Sequence, residues 1–335
     1  MGTVITLMLF LFGFILLVKG ADILIDGASV LAKKLGLSDL LVGLTIVAFG
    51  TSLPEMIVNL YANTGGVSEL GVGNIIGSNI ANILLILGVC ALIAPLTVRR
   101  VTVWREVLLA VAASFVLLIL ISDKVLNTGG FEGLDIIDGI MLITLFVIFL
   151  YYTFGHRTHL ATEQSDEQQP GNLSLGKATV LVLLGVVGVG LGGQWIVNGA
   201  QVLAEIAGLN QEIVGLTILA IGTSIPELAT SVTAVRKRNI DIAVGGVLGS
   251  NIFNTFWVLG LNAVLTPIAF NAVAYTDVIF AVAAALMLFA ALTLIGTRHS
   301  MSKLGGVTFL SVYVAYLAYL VLRQQHLVNF GQIGF

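Results

Sequence analysis

Two six-residue stretches carry the chemistry of this chain: Gly50-Thr51-Ser52-Leu53-Pro54-Glu55 and Gly222-Thr223-Ser224-Ile225-Pro226-Glu227. Each sets a carboxylate, a proline and two hydroxyls inside a strongly apolar run. Proline within a helix cannot donate to the carbonyl four residues back. Pro54 is therefore expected to free the carbonyl of Gly50, and Pro226 that of Gly222. A freed carbonyl beside Thr51, Ser52 and Glu55 makes a cluster of hard oxygens, the donor set that a cation such as Ca2+ requires. No sulfur or imidazole stands nearby for a softer metal. The four histidines, at 156, 159, 299 and 326, fall in loops or the tail.

A second pair of segments adds to each motif. Ser78 and Asn82 are four residues apart and share a helix face, as do Ser250 and Asn254. The surrounding glycines, Gly71, Gly73, Gly77, Gly245, Gly246 and Gly249, are expected to permit close helix approach. Taken singly, a membrane Glu can be a protonated packing residue, and lone Ser and Thr hydroxyls usually bond to their own backbone. Asn79 and Asn251 can bridge helices rather than touch ions. The doubling of the motif favours ion binding over packing. Glu55 and Glu227 are 172 residues apart (227 minus 55), and the same offset relates Gly43-Leu44-Thr45 to Gly215-Leu216-Thr217, Gly77-Ser78-Asn79-Ile80 to Gly249-Ser250-Asn251-Ile252, and Leu87-Gly88 to Leu259-Gly260.

The elements that position these residues must be membrane helices. Of 335 residues, 58% are hydrophobic and only 10% charged, and the mean hydropathy is +1.06. Water-soluble domains carry roughly 25% charged residues. Apolar runs long enough to span a bilayer as helices number about ten; the alternating pattern of a barrel is absent. They fall near 4–35, 40–63, 70–93, 103–122, 136–154, 175–204, 212–235, 242–265, 278–296 and 304–322. The first is too long for a perpendicular span and holds Lys19, Asp22 and Asp26, so either it divides or its polar end reaches water. The fold class is an all-α membrane protein of two inverted five-helix repeats, residues 1–155 and 175–335, joined by a polar linker over 156–174. Five spans per half force the second half to enter upside down.

Charge supports this. With the N-terminus outside, the inner loops hold twelve basic residues (Lys33, Lys34, Arg99, Arg100, Arg105, Arg157, Lys177, Arg236, Lys237, Arg238, Arg298 and Lys303) and the outer side only Lys124 and Arg323. Both termini are then outside and the linker is cytoplasmic. Inverted repeats with a midplane site mark secondary transporters. The carboxylates Glu69, Asp123, Glu132, Asp135, Asp138, Glu205, Glu212 and Asp277 are read as solvated outer-loop charges. The single cysteine, Cys90, excludes an intramolecular disulfide and a Cys-rich metal site and is read as a packed thiol. No basic patch interleaved with aromatics suggests nucleic acid. No nucleophile–base pair or histidine lies in a span, which argues against an enzyme.

At the paired Gly-Thr-Ser-Leu/Ile-Pro-Glu and Gly-Ser-Asn-Ile motifs, spanning about 43–88 and 215–260, the chain resembles the cation/calcium antiporter superfamily, specifically its prokaryotic sodium/calcium exchangers. The resemblance implies a ten-helix inverted-repeat fold with four ion sites at its middle, in the inner (plasma) membrane of a prokaryote. Glu55 and Glu227 would be the central Ca2+ ligands, shared with Na+. Thr51, Ser52, Thr223 and Ser224 would supply hydroxyl or carbonyl oxygens, Ala48 and Ala220 carbonyls to flanking Na+ sites, and Ser78, Asn82, Ser250 and Asn254 would complete the cluster. Helices 1 and 6 would slide as a gate over the other eight. No cofactor and no protein partner are implied; Ca2+ and Na+ are bound as cargo. The chain departs from the family at Asn254, where sodium/calcium exchangers commonly carry Asp, which bears on stoichiometry and on the choice of Na+ or H+. The expected function is Ca2+/Na+ antiport by alternating access. The rival readings are a Ca2+ (or other cation)/H+ antiporter with Glu55 and Glu227 as proton carriers, and a passive cation channel.

Overall fold

The computed structural model describes residues 2–64, 68–122, 133–155, 174–206, 220–270, 272–295 and 299–332. The expected 156–174 linker therefore lies outside the described residues, apart from Ser174. So do Glu212, Asp123 and Glu132, the start of the expected seventh span, and the side chains of Glu69 and Glu205.

Among the described residues, eight helices are long and apolar enough to cross a membrane, or nine if one bent pair counts as a span. In chain order the helices are α1 (Thr3–Leu35), α2 (Asp39–Thr51), α3 (Leu53–Thr64), α4 (Ser68–Ala81, continued through Ile93), α5 (Arg100–Leu120), α6 (Ile136–Gly155), α7 (Leu175–Ile206), α8 (Ala220–Thr223), α9 (Ile225–Arg236), α10 (Ile240–Leu265), α11 (Ala272–Ala290, continued through Ile295) and α12 (Lys303–Gln332). His326 lies on the α12 extension rather than in an irregular tail. α1 does not divide: it is one helix of 33 residues, about 50 Å long at 1.5 Å per residue, and so must tilt or project. Its polar end is exposed and paired, with Lys237 Nζ 2.8 Å from Asp26 Oδ1 and 3.5 Å from Asp22 Oδ1.

Two short antiparallel ribbons tie the halves together. Leu96 pairs with Met301 and Thr97 with Ser300; Gly133 pairs with Ala269 and Leu134 with Ile268. Leu96 and Ile268 are 172 apart, so the strand following α4 and its mate following α10 each pair into the opposite half. The helix contacts repeat the exchange: α10 packs on α6 around Gly260 and Gly139, and α4 packs on α12 around Gly88 and Gly306.

The glycine reading holds in part. A Cβ on Gly249 would stand 2.3 Å from the Leu44 carbonyl oxygen, and one on Gly245 2.6 Å from that of Leu40. These two residues let α10 touch the backbone of α2. Gly246 has ordinary room, with its nearest neighbour at 3.7 Å, and Gly73 faces open space. Cys90 is fully buried, as expected.

The outer carboxylates require correction. Asp277 is no solvated loop charge: it lies on α11, 9% exposed, gripped by Arg323 of α12 through bonds of 2.9 and 3.1 Å. A guanidinium fork matches a carboxylate in this bidentate way. Asp135 and Asp138 are half-buried and cap α6; Asp135 Oδ1 accepts from the N–H groups of Ile137 and Asp138, while Asp138 Oδ2 accepts from that of Asp135. Sequence spacing places such residues near a helix start, but the choice between a cap and a free charge depends on backbone direction.

Candidate ion-binding site

The repeated motif breaks a helix rather than kinking it. α2 ends at Thr51 and α3 starts at Leu53, with Ser52 between them at φ −86°, ψ 5°. In the second half Ser224 stands between α8 and α9 at φ −87°, ψ 1°. Pro54 and Pro226 thus fall in the first turn of a new helix, where a missing N–H costs nothing and the fixed φ suits the start. Glu55 and Glu227 follow in the same turns, the helix end whose dipole favours negative charge.

The two breaks meet in the interior. Ser52 Oγ donates to Glu227 Oε1 at 2.9 Å. Thr223 Oγ1 donates to Asn74 Oδ1 at 3.0 Å and lies 3.4 Å from Ser78 Oγ. Thr223 also lies beside the Glu55 carboxylate, and Thr51 and Ser250 beside that of Glu227. Every described side chain of the expected set is buried: Glu55 is 1% exposed, Glu227 2%, and Ser52, Ser78, Ser250 and Asn254 0%.

Four asparagines lock α4 to α10 beside these residues. Asn82 Nδ2 donates to Asn251 Oδ1 at 2.9 Å, and Asn254 Nδ2 to Asn79 Oδ1 at 3.3 Å. Under the 172-residue offset these two bonds are mates. Asn251 Nδ2 also donates to the Asn79 carbonyl, and Asn79 Nδ2 to Thr255 Oγ1. The bridging reading of Asn79 and Asn251 is thereby the observed one. Asn82 opens a π-helical stretch, Asn82–Ile86, and Asn254 sits in another, Phe253–Val258. Such wide turns insert a residue and re-aim the side chains around them, and they recur at functional sites.

Several buried oxygens are left over. Among the described residues, Glu55 Oε2, Glu227 Oε2, Ser224 Oγ, Ser250 Oγ, Asn82 Oδ1 and Asn254 Oδ1 have no hydrogen-bond partner. A buried polar atom without a partner costs about 1–3 kcal/mol, more when charged. Both asparagines spend their amide N–H on a neighbouring helix and keep the amide oxygen open. These six open atoms are oxygens, two of them from carboxyl groups, which is the donor chemistry of Ca2+ and Na+; the one open nitrogen beside them is Asn74 Nδ2. Ala48 is buried, and its carbonyl already accepts from Ser52 N–H at 3.0 Å and Thr51 Oγ1 at 3.3 Å. Ala220 starts α8.

Sequence reasoning missed Asn74 and Thr255. Asn74 stands four residues before Ser78 on the same face of α4, and that spacing was the available signal. Thr255 stands four residues after Asn251, the same kind of signal, but its mate by offset is Ile83 and so the repeat does not mark it.

Comparison with known proteins agrees with this architecture. The family model described as "Sodium/calcium exchanger protein" matches residues 5–155 and 177–322. The sodium/calcium exchanger MaX1 of Methanosarcina acetivorans is 31% identical over 94% of this chain and 98% of its own length. The inner membrane protein YrbG of Escherichia coli is 36% identical over 80% of this chain and 82% of its own. The solved structure of the sodium-calcium exchanger NCX_Mj soaked with Na+ and Ca2+ superposes with a TM-score of 0.79 at 29% identity, covering 94% of this chain and 98% of that one. This chain belongs to the sodium/calcium exchanger protein family.

Proposed function

We propose that the protein is an integral membrane antiporter that exchanges Ca2+ for Na+ by alternating access, with the paired motifs as the ion site. The observation that carries this is the set of partnerless oxygens: two carboxylates, two hydroxyls and two amide oxygens, contributed by both halves and buried. Glu55 and Glu227 would hold Ca2+ between them and release it to Na+. Ser52, Thr51, Ser78 and their mates Ser224, Thr223 and Ser250 would complete the shell, with Asn82 and Asn254 through Oδ1 and Ala48 and Ala220 through their carbonyls. A divalent cation offsets the repulsion of two buried carboxylates, and two or more Na+ ions can take the same oxygens. Ion and protein alone suffice for this; the activity is transport and not catalysis.

The halves 1–155 and 175–335 would be the two repeats, with the termini outside and 156–174 in the cytoplasm. The asymmetry of lysine and arginine supports that orientation. A cysteine placed at Gln168 in a Cys90→Ala background should resist an impermeant thiol reagent added to intact cells; labelling from outside would reverse the topology. Transport is tested in proteoliposomes with 45Ca2+. Uptake is expected when an outward Na+ gradient is imposed and absent without one. Uptake driven by a pH gradient alone would assign H+ as counter-ion, and uptake with no counter-ion gradient would indicate a channel.

A further inference from the structure

Glu106 is a buried acid that the ion site does not use. It lies on α5, 9% exposed, and its Oε2 has no hydrogen-bond partner among the described residues. It lines a narrow cleft, with enclosed room for a group about the size of one water or one ammonium, formed by Leu40, Leu41 and Leu44 of α2, Arg105 and Glu106 of α5, and Tyr152 and Thr153 of α6. Leu40 and Arg105 are near the starts of their helices and Tyr152 near the end of its own, so the cleft opens at one end of the bundle. That end carries Arg99, Arg100 and Arg105, with Trp104 49% and Tyr151 82% exposed. Basic and indole or phenol side chains at helix ends mark the headgroup level of a bilayer.

The charges in the cleft are ordered. Glu106 is buried and the adjacent Arg105 is exposed. The wall facing them is leucine. A divalent cation lacks ligands here, because among the described residues no three acidic, His or Cys side chains converge and a guanidinium stands beside the one acid. What fits is a molecule with a hydrogen-bonding cation at its tip, an anion next to it and hydrocarbon behind. We propose that this cleft binds the head group of a phospholipid bearing a primary amine. The ammonium donates to Glu106 Oε2, with Thr153 lining the same cleft. The phosphodiester pairs with Arg105, and the acyl chain runs along Leu40, Leu41 and Leu44. A primary ammonium has three N–H donors and satisfies the open oxygen; a trimethylammonium head has none and is bulkier. The leucines lead directly into the π-helical stretch Gly43–Val47 and the Ala48–Ser52 turn, so an occupied cleft braces the helix that presents the first motif. The proposal rests on the membrane reading of the chain but not on its transport activity.

The test is lipid retention and thermal unfolding of the purified full-length protein, supplemented with phosphatidylethanolamine or phosphatidylcholine of matched chains. The wild type should retain phosphatidylethanolamine in native mass spectra and unfold at a higher temperature with it than with phosphatidylcholine. Glu106→Gln keeps the side-chain size and removes the charge; retention should fall about tenfold, the loss of one charge-assisted bond, and the temperature difference should vanish. Arg105→Gln, at an exposed position, should weaken retention of both lipids. Equal response of the wild type to the two lipids would overturn the proposal, as would undiminished phosphatidylethanolamine retention by Glu106→Gln. Soluble phosphoethanolamine added to protein in phosphatidylcholine should do nothing; a shift with it would overturn the lipid assignment in favour of an aqueous ligand. Ca2+ flux is measured separately, so a silent exchanger that still selects the lipid supports this site and counts only against the transport reading.

Discussion

The two copies of the Gly-Thr-Ser-Leu/Ile-Pro-Glu motif share their backbone and differ in their bonds. Ser52 and Ser224 have the same dihedral angles within a few degrees. Yet Ser52 donates to Glu227, while Ser224 Oγ has no partner. Thr223 reaches across to Asn74 and Ser78, whereas Thr51 turns back onto the carbonyls of Val47 and Ala48 in its own helix. The sequence explains the second difference. The mate of Asn74 is Gly246, so Thr51 has no amide oxygen facing it. Repetition thus sets the site's geometry, and single departures from it set which contacts are closed.

The shared features should give the largest and most equal effects. Glu55→Gln and Glu227→Gln each keep the volume and remove the charge that a hard divalent ion needs. Both should reduce Na+-driven Ca2+ uptake to the level of empty vesicles, with the protein still folded and inserted. If one variant exchanged normally, the carboxylates would not form one shared site.

Next comes a contrast inside α10. Gly249→Ala drives a methyl to within 2.3 Å of the Leu44 carbonyl oxygen, a backbone atom that cannot yield without moving α2. Gly246→Ala meets only the Val47 side chain at 3.7 Å. The first should cost several kcal/mol or prevent insertion, by analogy with overpacked cores at about 1–3 kcal/mol or more; the second should be nearly silent. Yields and unfolding temperatures in detergent measure this. Similar values for the two would mean that the helices are not in backbone contact at Gly249.

The threonines come third. Thr223→Val breaks bonds to Asn74 and Ser78 and strands Asn74 Oδ1, whose amide nitrogen is already partnerless. Leaving a buried acceptor open costs about 1–3 kcal/mol. Thr51→Val removes back-bonds to carbonyls of its own helix, worth little, and the contact with Glu227 that mirrors the one Thr223→Val removes at Glu55. In ion-free protein the first should therefore be the less stable by about 1 kcal/mol or more. Asn74→Gly should bring the two variants together, because it makes the second half face what the first half faces.

Much of this was legible before any coordinates. The apolar runs, the constant offset and the paired carboxylates required membrane helices and a site shared between halves. What was not legible depended on backbone detail. Proline at 54 and 226 suggests a freed carbonyl within a helix, but a proline fits equally well in the first turn of a fresh helix, and the breaks fall at Ser52 and Ser224. The π-helical stretches at Asn82 and Phe253 leave no trace in residue spacing. Asp277 looked solvated because its partner, Arg323, is 46 residues away on the next helix. Glu106 drew no notice because it stands alone, without a repeat mate to mark it.

The serines sharpen the comparison furthest, because one of the two substitutions is expected to have no effect in ion-free protein. Ser52→Ala deletes a hydroxyl that donates to a buried carboxylate, a bond of the charge-assisted kind worth about 1.5–3 kcal/mol. Ser224→Ala deletes a hydroxyl with no hydrogen-bond partner among the described residues. In ion-free protein the first variant should unfold several degrees lower and the second should match the wild type. Ca2+ should then separate two readings of Ser224. If its oxygen belongs to the ion shell, bound ion is its missing partner. The rise in unfolding temperature on adding Ca2+, which follows ligand affinity through mass action, would be smaller in Ser224→Ala than in the wild type. A rise equal to that of the wild type would mean that Ser224 stays outside the shell, and that the asymmetry of the two motifs persists when the site is filled.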